Sequence, residues 1–461
     1  MTEQEKWIEY LKALKKPFQK LCRLRFLNPD GSTAFSVDNN PLNRHNGAFI
    51  EDGTLTVNLQ NGVRRTASVT LANISGAFDY NVNNLWFGTE VALDEGLVIL
   101  SGSYIKESLE RAGALYPRNN LFPSDYLYPN NGFAVKRQGD TTEFYIQQGV
   151  FVIQEPKEIV EPNRRLMQYE LVDKWANLDG TLWGKLESTY RGAVDANIFQ
   201  QINALLQDDR GNGRKVDEVS PCYTDYYNGK TQTLPDGKTA NLTDAPYTLE
   251  ISPGSGTYAS VILGFAEMLN AWVGYDATGR LRIDPSQDDI LDKEKPISYT
   301  FSMGEATLLG MTYTAENTAV YNDYIVLGAE LDDNSQPGAR ATNNDPTSDT
   351  NANLIGRKTV FTTEDGYATE QQCRDRAEWE LKRATVLQKS VNISCAQIFH
   401  IRENELVEIT RTDKQGAPTE RHLVTGFSRP LSTSGTMTIS ATSVADFPIA
   451  TVETWPPKAA S

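Results

Sequence analysis

The clearest pattern along the chain is an alternation of apolar and polar residues between positions 53 and 93, which predicts paired β-strands. Residues 54–59 place three apolar side chains on one face. Asn61-Gly62 comes next, and this pair suits a type I′ hairpin turn, because both central residues of that turn need a positive φ. Residues 63–71 return with the same period. Only Arg65 interrupts their apolar face, and we expect it at the frayed end of the turn.

The same alternation occurs in two groups of strands, one on each side of the middle of the chain. Residues 85–93 add a third strand to the first hairpin and complete an antiparallel meander with one apolar face. Such a face must close on itself, pack on another sheet or meet another subunit. We therefore predict a mainly β fold with an α+β insertion, in which two β-barrel domains bracket a mixed α/β middle region.

Composition shifts and helical periodicity divide the chain into five parts. The predicted parts are an N-terminal helix at 1–19, a first barrel at 20–175 with a loop excursion at 101–142, a mixed α/β domain at 176–296, a second barrel at 297–447 and a C-terminal tail at 448–461. The N-terminal helix is amphipathic and either docks on its own domain or reaches a neighbouring subunit.

Helices are predicted in the middle domain and beside the second barrel. In the middle domain they cover residues 195–206, capped by Asp195, and residues 258–272, which lead into a hairpin that turns at 276–279. A long helix at 369–388 carries apolar residues amid dense charge, and we expect it to flank the second barrel.

Two segments have the composition of loops. Residues 329–356 contain almost no large apolar side chain, which predicts a mobile loop. Residues 116–131 hold three prolines and three tyrosines. They are either a contact surface or an Ω-loop packed on itself.

Net charge and cysteine content exclude several classes of protein. The 461 residues include 60 acidic and 44 basic side chains, a net charge of −16, whereas a binder of nucleic acid or acidic membranes needs the opposite sign. The four cysteines match no metal-binding spacing and are expected to be reduced. No apolar run is long enough to span a membrane, and the N-terminus lacks a signal peptide, so we expect synthesis in the cytoplasm.

No catalytic, cofactor-binding or metal-binding constellation is evident. The three histidines, His45, His400 and His422, lie in unrelated contexts, and no HExxH, GxSxG or CxxC motif occurs. Asp173 and Asp179 could be imagined as a glycosidase pair, but turn or cap roles suit them better. We predict that the chain is not an enzyme and needs no cofactor or metal.

Three stretches resemble the hub family of phage tail baseplates and tail tips, including the hubs of phage-derived contractile particles. The first is LWFGTEVAL followed by GVFVIQEP, and the second is a helix leading into WVGYDATGRLRIDP. The third begins with AVYNDYIVLG, passes through a polar loop and the helix at 369–388, and ends with RENELVEI, HLVTGFSRPLS and GTMTISA. Their order along most of the chain makes the likeness more specific than any one of them.

The resemblance implies a homotrimer in which each copy contributes two domains similar to the tail-tube barrel. Three copies then form a ring that joins the hexameric tail tube to a central spike or tip protein, with the tape-measure protein ending nearby. The resemblance also implies that DNA passes through the channel without specific binding and that the chain resides in the virion tail.

Assembly into a ring requires apolar contact surfaces, and three aromatic residues are candidates. They are Trp86, Phe87 and Trp379, although each can equally fill the core of its own domain. Two other functions compete with the hub. One is a receptor- or carbohydrate-binding protein of the tail tip that uses residues 116–131, and the other is a cell-wall-degrading tail enzyme.

Overall fold

The computed structural model of the protein describes most of the chain between residues 19 and 456. The described residues are 19–40, 45–79, 88–101, 105–108, 126–127, 133–136, 140–209, 214–233, 238–269, 271–285, 297–305, 307–315, 320–330, 335–364, 367, 369–385, 389–416, 418–432, 434–443 and 449–456. Strands dominate these residues, which confirms the prediction of a mainly β fold.

The N-terminal part of the chain is a group of antiparallel strands. Its strands are β1 (Gln19–Leu27), β2 (Thr33–Asp38), β3 (Ala48–Asn58), β4 (Arg65–Asn73), β5 (Glu90–Ser101), β6 (Ile105–Ser108), β7 (Tyr126–Leu127), β8 (Phe133–Lys136), β9 (Asp140–Glu161) and β10 (Arg164–Asp173). Seven of them are neighbours in the order β3-β4-β10-β9-β5-β1-β2, and β6, β8 and β7 form a small separate sheet.

The C-terminal part supplies the second group of strands. These are β18 (Ile297–Ser302), β19 (Leu308–Ala315), β23 (Lys389–Cys395), β24 (Leu406–Thr410), β25 (Thr419–Pro430) and β26 (Met437–Ser443), numbered by their order along the chain. They continue the same sheet, because β25 pairs with β3 of the first group over Gly426–Pro430 and Thr54–Asn58. Thirteen described strands therefore belong to one sheet.

Strand β25 is long enough to serve both groups at once. Its first half pairs with β24 and its second half with β3, while β26 runs along its middle. Side chains of both groups also form one buried cluster, in which Phe26 and Phe151 lie with Phe301 and Phe427. The two strand groups that the sequence assigned to two β-barrel domains are thus joined in the structure by the β25–β3 pairing and by a common core.

The first hairpin differs from its prediction in two respects. Gly62 has a φ of 93°, but Asn61 is not among the residues with positive φ, so the turn is not type I′. The reason is that the loop docks on the middle region: the Gly62 amide donates to the Val273 carbonyl at 3.1 Å, and the Val273 amide donates to Asn61 Oδ1 at 2.8 Å. The third strand, β5, does not continue a meander, since β10 and β9 lie between it and β4.

The middle region has its own buried cluster and mixes helices with short strands. Its elements are β11 (Tyr190–Arg191), α1 (Ile198–Leu206), β12 (Cys222–Tyr223), β13 (Thr231–Thr233), β14 (Thr239–Asn241), β15 (Glu250–Ile251), α2 (Tyr258–Met268), β16 (Ala271–Tyr275) and β17 (Leu281–Pro285). Asn197 rather than Asp195 caps α1, since Asp195 has a left-handed φ of 57°. The β16–β17 hairpin turns at the predicted position, with Asp276 Oδ1 accepting from the amides of Thr278 and Arg280.

The long helix does not pack on the second strand group. It is helix α4 (Glu370–Thr385), and it covers a separate sheet in the order β22-β20-β21-β27, made of β20 (Asp323–Leu327), β21 (Gly338–Asn343), β22 (Thr359–Thr363) and β27 (Ala450–Thr454). Its buried stripe of Cys373, Ala377 and Leu381 has the spacing of one helix face and meets Ala339 and Ala341 of β21. Small residues on both sides let the helix lie close to the sheet.

The prediction of a loop at 329–356 is wrong for its described part. Residues 335–356 contain β21 and the short helix α3 (Ala352–Ile355). Large apolar side chains are not needed here, because alanines fill the space under α4 and the buried polar side chains form hydrogen bonds with neighbouring residues. Asn343 is fully buried and donates to Thr350 Oγ1 at 3.0 Å, and Asn322 donates to the Thr350 carbonyl at 3.1 Å.

Several predictions fall at the ends of the chain or in the excursion. The predicted N-terminal helix lies outside the described residues up to residue 18, and Gln19 already begins β1. Of residues 116–131, the structure describes only strand β7. The predicted tail at 448–461 instead supplies β27, which pairs with β21.

Candidate functional site

The three parts of the fold meet around one buried arginine. Arg65, at the start of β4, is 1% exposed. Its Nη2 lies 2.5 Å from both carboxylate oxygens of Glu403 in the second strand group. Its Nη1 donates to the Gln148 carbonyl of β9 at 2.9 Å, and its Nε lies 3.4 Å from the Tyr275 carbonyl of the middle region. One guanidinium therefore contacts all three parts.

A second buried ionic group lies between the two strand groups. Glu95 of β5 is fully buried, with Arg429 Nε of β25 at 2.5 Å and Lys20 Nζ of β1 at 3.0 Å. Gln148 connects this group to the junction, because its side-chain oxygen accepts from both Arg429 and Arg402. Truncation of a buried charged partner leaves the other charge unpaired, which is costly.

The arginines control the ionisation of the buried carboxyl groups. Burial alone would raise the pKa of Glu403, but Arg65 and Arg64 outweigh it and hold that pKa below its usual value. In the same way, Arg429 and Lys20 outweigh burial at Glu95 and lower its pKa. Burial lowers the pKa of Arg402 to about 10, and the charges of Arg65 and Arg429 add to that shift.

Asp173 holds the backbone from which the two junction arginines project. Its Oδ2 accepts from the Arg64 and Arg65 amides at 2.8 and 2.9 Å, and its Oδ1 accepts from the Trp175 amide at 3.1 Å. Burial raises its pKa to about 6, despite those three hydrogen bonds. Asp179 instead accepts from the Thr181 amide in an exposed turn. Asp173 and Asp179 thus have the cap and turn roles that the sequence favoured.

A polar cavity of about 190 Å³ lies at the junction. Its lining comes from all three parts and includes four arginines, Arg64, Arg65, Arg282 and Arg402, together with Asp284, Glu403 and Glu405. Arg64 is 2% exposed, and its Nη2 has no hydrogen-bond partner among the described residues.

The described histidines and cysteines make packing contacts. His45 stacks on Phe35, with ring centroids 4.6 Å apart, and His400 Nε2 lies 3.1 Å from the Ser298 carbonyl. All four cysteines are free thiols. Within the described ranges, no group of three or more His, Cys, Asp or Glu side chains is placed to hold a metal ion. No helix in the same ranges has the length and apolar character that a membrane crossing requires.

Known structures provide a match where sequences do not. No protein-family model and no curated protein matches this chain. The tail protein from Neisseria meningitidis MC58 superposes with a TM-score of 0.52 at 11% identity, over 92% of this chain and 96% of that one. The 43 kDa tail protein of prophage MuSo2 from Shewanella oneidensis gives a TM-score of 0.52 at 10% identity, over 92% and 98%. The chain has a phage tail-protein fold. The likeness indicated by the sequence is thus confirmed at the level of the fold.

Within this tail-protein fold, the three candidate interface residues have different positions. Trp86 and Phe87 lie outside the described residues. Trp379 of α4 is half-buried beside the stripe that faces the sheet, and the guanidinium carbon of Arg376 lies 5.0 Å from its ring centroid. Trp379 is therefore not a central core residue of its unit, and its role in subunit contacts stays a prediction.

Two terminal strands of the tail-protein fold carry exposed apolar residues that the sequence analysis did not select. On β19, which pairs with β23 and lies at one end of the large sheet, Leu309 is 59% exposed. On β22, at one end of the four-stranded sheet, Phe361 is 61% exposed. Terminal strands offer unpaired backbone groups as well as side chains, so both are candidate assembly surfaces.

The residues that join the three parts are not evident from the sequence. Arg65 was assigned to a frayed turn, whereas its guanidinium is fully buried and ion-paired. The available signal was the doubled Arg64-Arg65 on a face that is otherwise apolar, since buried arginine requires a partner. The identity of that partner, Glu403, could not be read from spacing, because 338 positions separate the two residues.

Proposed function

We propose that this chain is the structural hub of a phage tail baseplate or tail tip, or of a phage-derived contractile particle. Three copies would form a ring that joins the hexameric tail tube to a central spike or tip protein and lines the channel for DNA. The observation that carries the proposal is the tail-protein fold with two strand groups joined at β25. Three copies would present six strand groups to a six-fold tube, which is a closed symmetric arrangement.

The proposed partners are a second and third copy of the chain, the tail tube protein, the spike or tip protein and the tape-measure protein. The chain would be made in the host cytoplasm and reside in the virion tail. The net charge of −16 supports a channel that lets DNA pass, because like charges do not retain phosphates. The proposal includes no enzymatic activity and no cofactor.

Imaging of assembled particles tests this function most directly. A small epitope tag on the chain, detected by labelled antibody fragments in electron micrographs, should mark the end of the tube that carries the spike. Particles made without the chain should lack that end structure. Complete tails without the chain, or label elsewhere on the particle, would contradict the proposal.

The oligomeric state provides a second test. Light scattering should give three times the 51.3 kDa of one chain, either for the chain alone or after mixing with tube or spike protein. Assembly can depend on a partner, so both samples are needed. A monomer in both samples and in cross-linked particles would exclude a trimeric ring.

A further inference from the structure

Arg64 is a buried cation whose hydrogen-bonding capacity is only partly used. Its Nε donates to the Gln60 carbonyl at 3.0 Å, and its Nη1 lies 3.9 Å from Asp284 Oδ2. Its Nη2 has no partner among the described residues, although the side chain is 2% exposed and lines the junction cavity. A buried donor without an acceptor is unfavourable, so an acceptor within the cavity would stabilise it.

The described carboxylates of the lining make hydrogen bonds with other groups, and none of them accepts from Arg64 Nη2. Both carboxylate oxygens of Glu403 accept from Arg65 Nη2. The two carboxylate oxygens of Asp284 accept from Arg282 Nε, at 2.7 and 3.0 Å. Asp276, in the hairpin turn, accepts from two amides and from the Thr278 hydroxyl.

Arg402 is a second guanidinium of the lining that makes no carboxylate hydrogen bond within the described part of the chain. Its side chain donates to the Phe399 and Gln147 carbonyls and to Gln148. Glu405, three positions further along the chain, accepts from the Ser298 hydroxyl at 2.5 Å and from the Arg402 amide at 3.0 Å. Burial raises the pKa of Glu405, while the Ser298 hydroxyl and Arg402 act in the opposite direction.

The hairpin of the middle region is shaped to accept the Arg64 side chain. Gly274 lies against it so closely that an added Cβ would meet Arg64 Nε at 2.4 Å and Cδ at 2.5 Å. The cavity therefore depends on a residue without a side chain at this position, as well as on the arginine.

We propose that the junction cavity binds an oxyanion, a phosphate or a carboxylate group, with Arg64 and Arg402 as its ligands. Guanidinium groups donate paired hydrogen bonds that match both kinds of oxyanion, and such charge-assisted bonds are stronger than neutral ones. The bound anion connects residues of the first and second strand groups with the middle hairpin, so its occupancy stabilises the arrangement of the three parts. This inference is independent of the hub function.

Calorimetric titration of the purified full-length chain tests the site, with inorganic phosphate and acetate as separate probes and chloride at matched ionic strength as reference. Phosphate or acetate should release heat and raise the melting temperature above the value in chloride. Binding of acetate alone assigns the site to carboxylates, and binding of phosphate alone assigns it to phosphate. If neither anion binds the unmodified protein, the proposal is wrong, whatever the variants do.

Variants distinguish this cavity from other basic surfaces. Arg64→Gln should weaken anion binding by about tenfold or more, the effect of one charge-assisted hydrogen bond. Gly274→Ala keeps every charge but displaces Arg64, so it should weaken binding as well. Arg191→Gln, at an exposed arginine of the middle region, is the matched control and should bind like the unmodified protein. Unchanged binding in both Arg64→Gln and Gly274→Ala would overturn the assignment, and if Arg64→Gln fails to fold, Gly274→Ala decides alone.

Discussion

Arg65 and Glu403, 338 positions apart in sequence, form a buried ion pair in which one guanidinium nitrogen lies 2.5 Å from both carboxylate oxygens. The pair joins β4 to the segment before β24, and Arg65 also reaches the middle hairpin. Together with the buried Glu95–Arg429 pair, it connects the two strand groups in addition to the β3–β25 pairing.

We expect Glu403→Gln and Arg65→Met each to lower the free energy of unfolding by about 3–5 kcal/mol, because each leaves the other charge or its donors unsatisfied in a buried site. The double variant should lose less than the sum of the two. Denaturant unfolding of the four proteins measures this coupling. The exposed pair Arg191–Glu250 is the control, where the same substitutions should cost about 1 kcal/mol or less. A purely additive result would show that the interaction between Arg65 and Glu403 does not stabilise the fold.

Shared strand β25 provides a second prediction. A Cβ on Gly426 would lie 2.7 Å from the Val57 carbonyl oxygen of β3 and 2.8 Å from Asn58 Oδ1. We expect Gly426→Ala to push β25 and β3 apart and to cost about 1–3 kcal/mol, the usual range for overpacking. Gly310→Ala on β19 is the matched control, since its Cβ would meet nothing within 4 Å. Equal melting temperatures for the two variants would contradict a tight β3–β25 junction.

The positions of individual strands could be predicted from the sequence better than the pairing of one strand with another. Alternation located β3, β4 and the β16–β17 hairpin, because their partners are close in sequence and half of each strand faces a core. It could not predict the pairing of Val57 with Phe427, which depends on the folded positions of two distant segments. Contacts of that kind leave no periodic signal in either strand.

Small and polar residues caused the other errors. Strand β21 reads as a loop because Gly338, Ala339 and Ala341 carry little apolar surface, yet this lets α4 pack directly above it. Arg65 reads as a defect in an apolar face, yet its guanidinium contacts all three parts. In both cases the explanation lies in a tertiary partner.

Asp173 predicts a pH dependence with a definite sign. Its pKa is about 6 in the folded protein and near 3.9 in the unfolded chain, so the folded state binds the proton more tightly. This group therefore stabilises the fold at low pH and loses that contribution as the pH rises from about 4 to 6. Glu95 and Glu403 act in the opposite sense, since their lowered pKa values contribute stability that is lost as pH falls.

A difference measurement isolates the effect of Asp173. Asp173→Asn removes the titration but keeps an acceptor for the Arg64 and Arg65 amides, so any penalty relative to the unmodified protein should shrink between pH 4 and pH 7. Denaturant unfolding of both proteins at several pH values provides the comparison. A penalty for Asp173→Asn that grows with pH would show that the carboxyl is ionised more readily in the fold than we infer.

The last prediction concerns assembly and compares Trp379 with Phe361. Phe361 projects from the terminal strand β22 and is 61% exposed, so Phe361→Glu should leave the melting temperature nearly unchanged. Thr363→Glu, also at an exposed position of β22, is the control for added charge. If β22 contacts a neighbouring subunit or the tube, Phe361→Glu should reduce incorporation into particles more than Thr363→Glu does, because interface centres are apolar and their rims tolerate charge.

Trp379→Glu is expected to lower both stability and incorporation, since the ring is half-buried beside Arg376. Light-scattering mass, thermal melting and particle incorporation are measured on all three variants. Together they separate a loss of folding stability from a loss of assembly. Normal incorporation of Phe361→Glu and Trp379→Glu would leave both surfaces outside the assembly and move the subunit contacts to β19 or to Trp86 and Phe87.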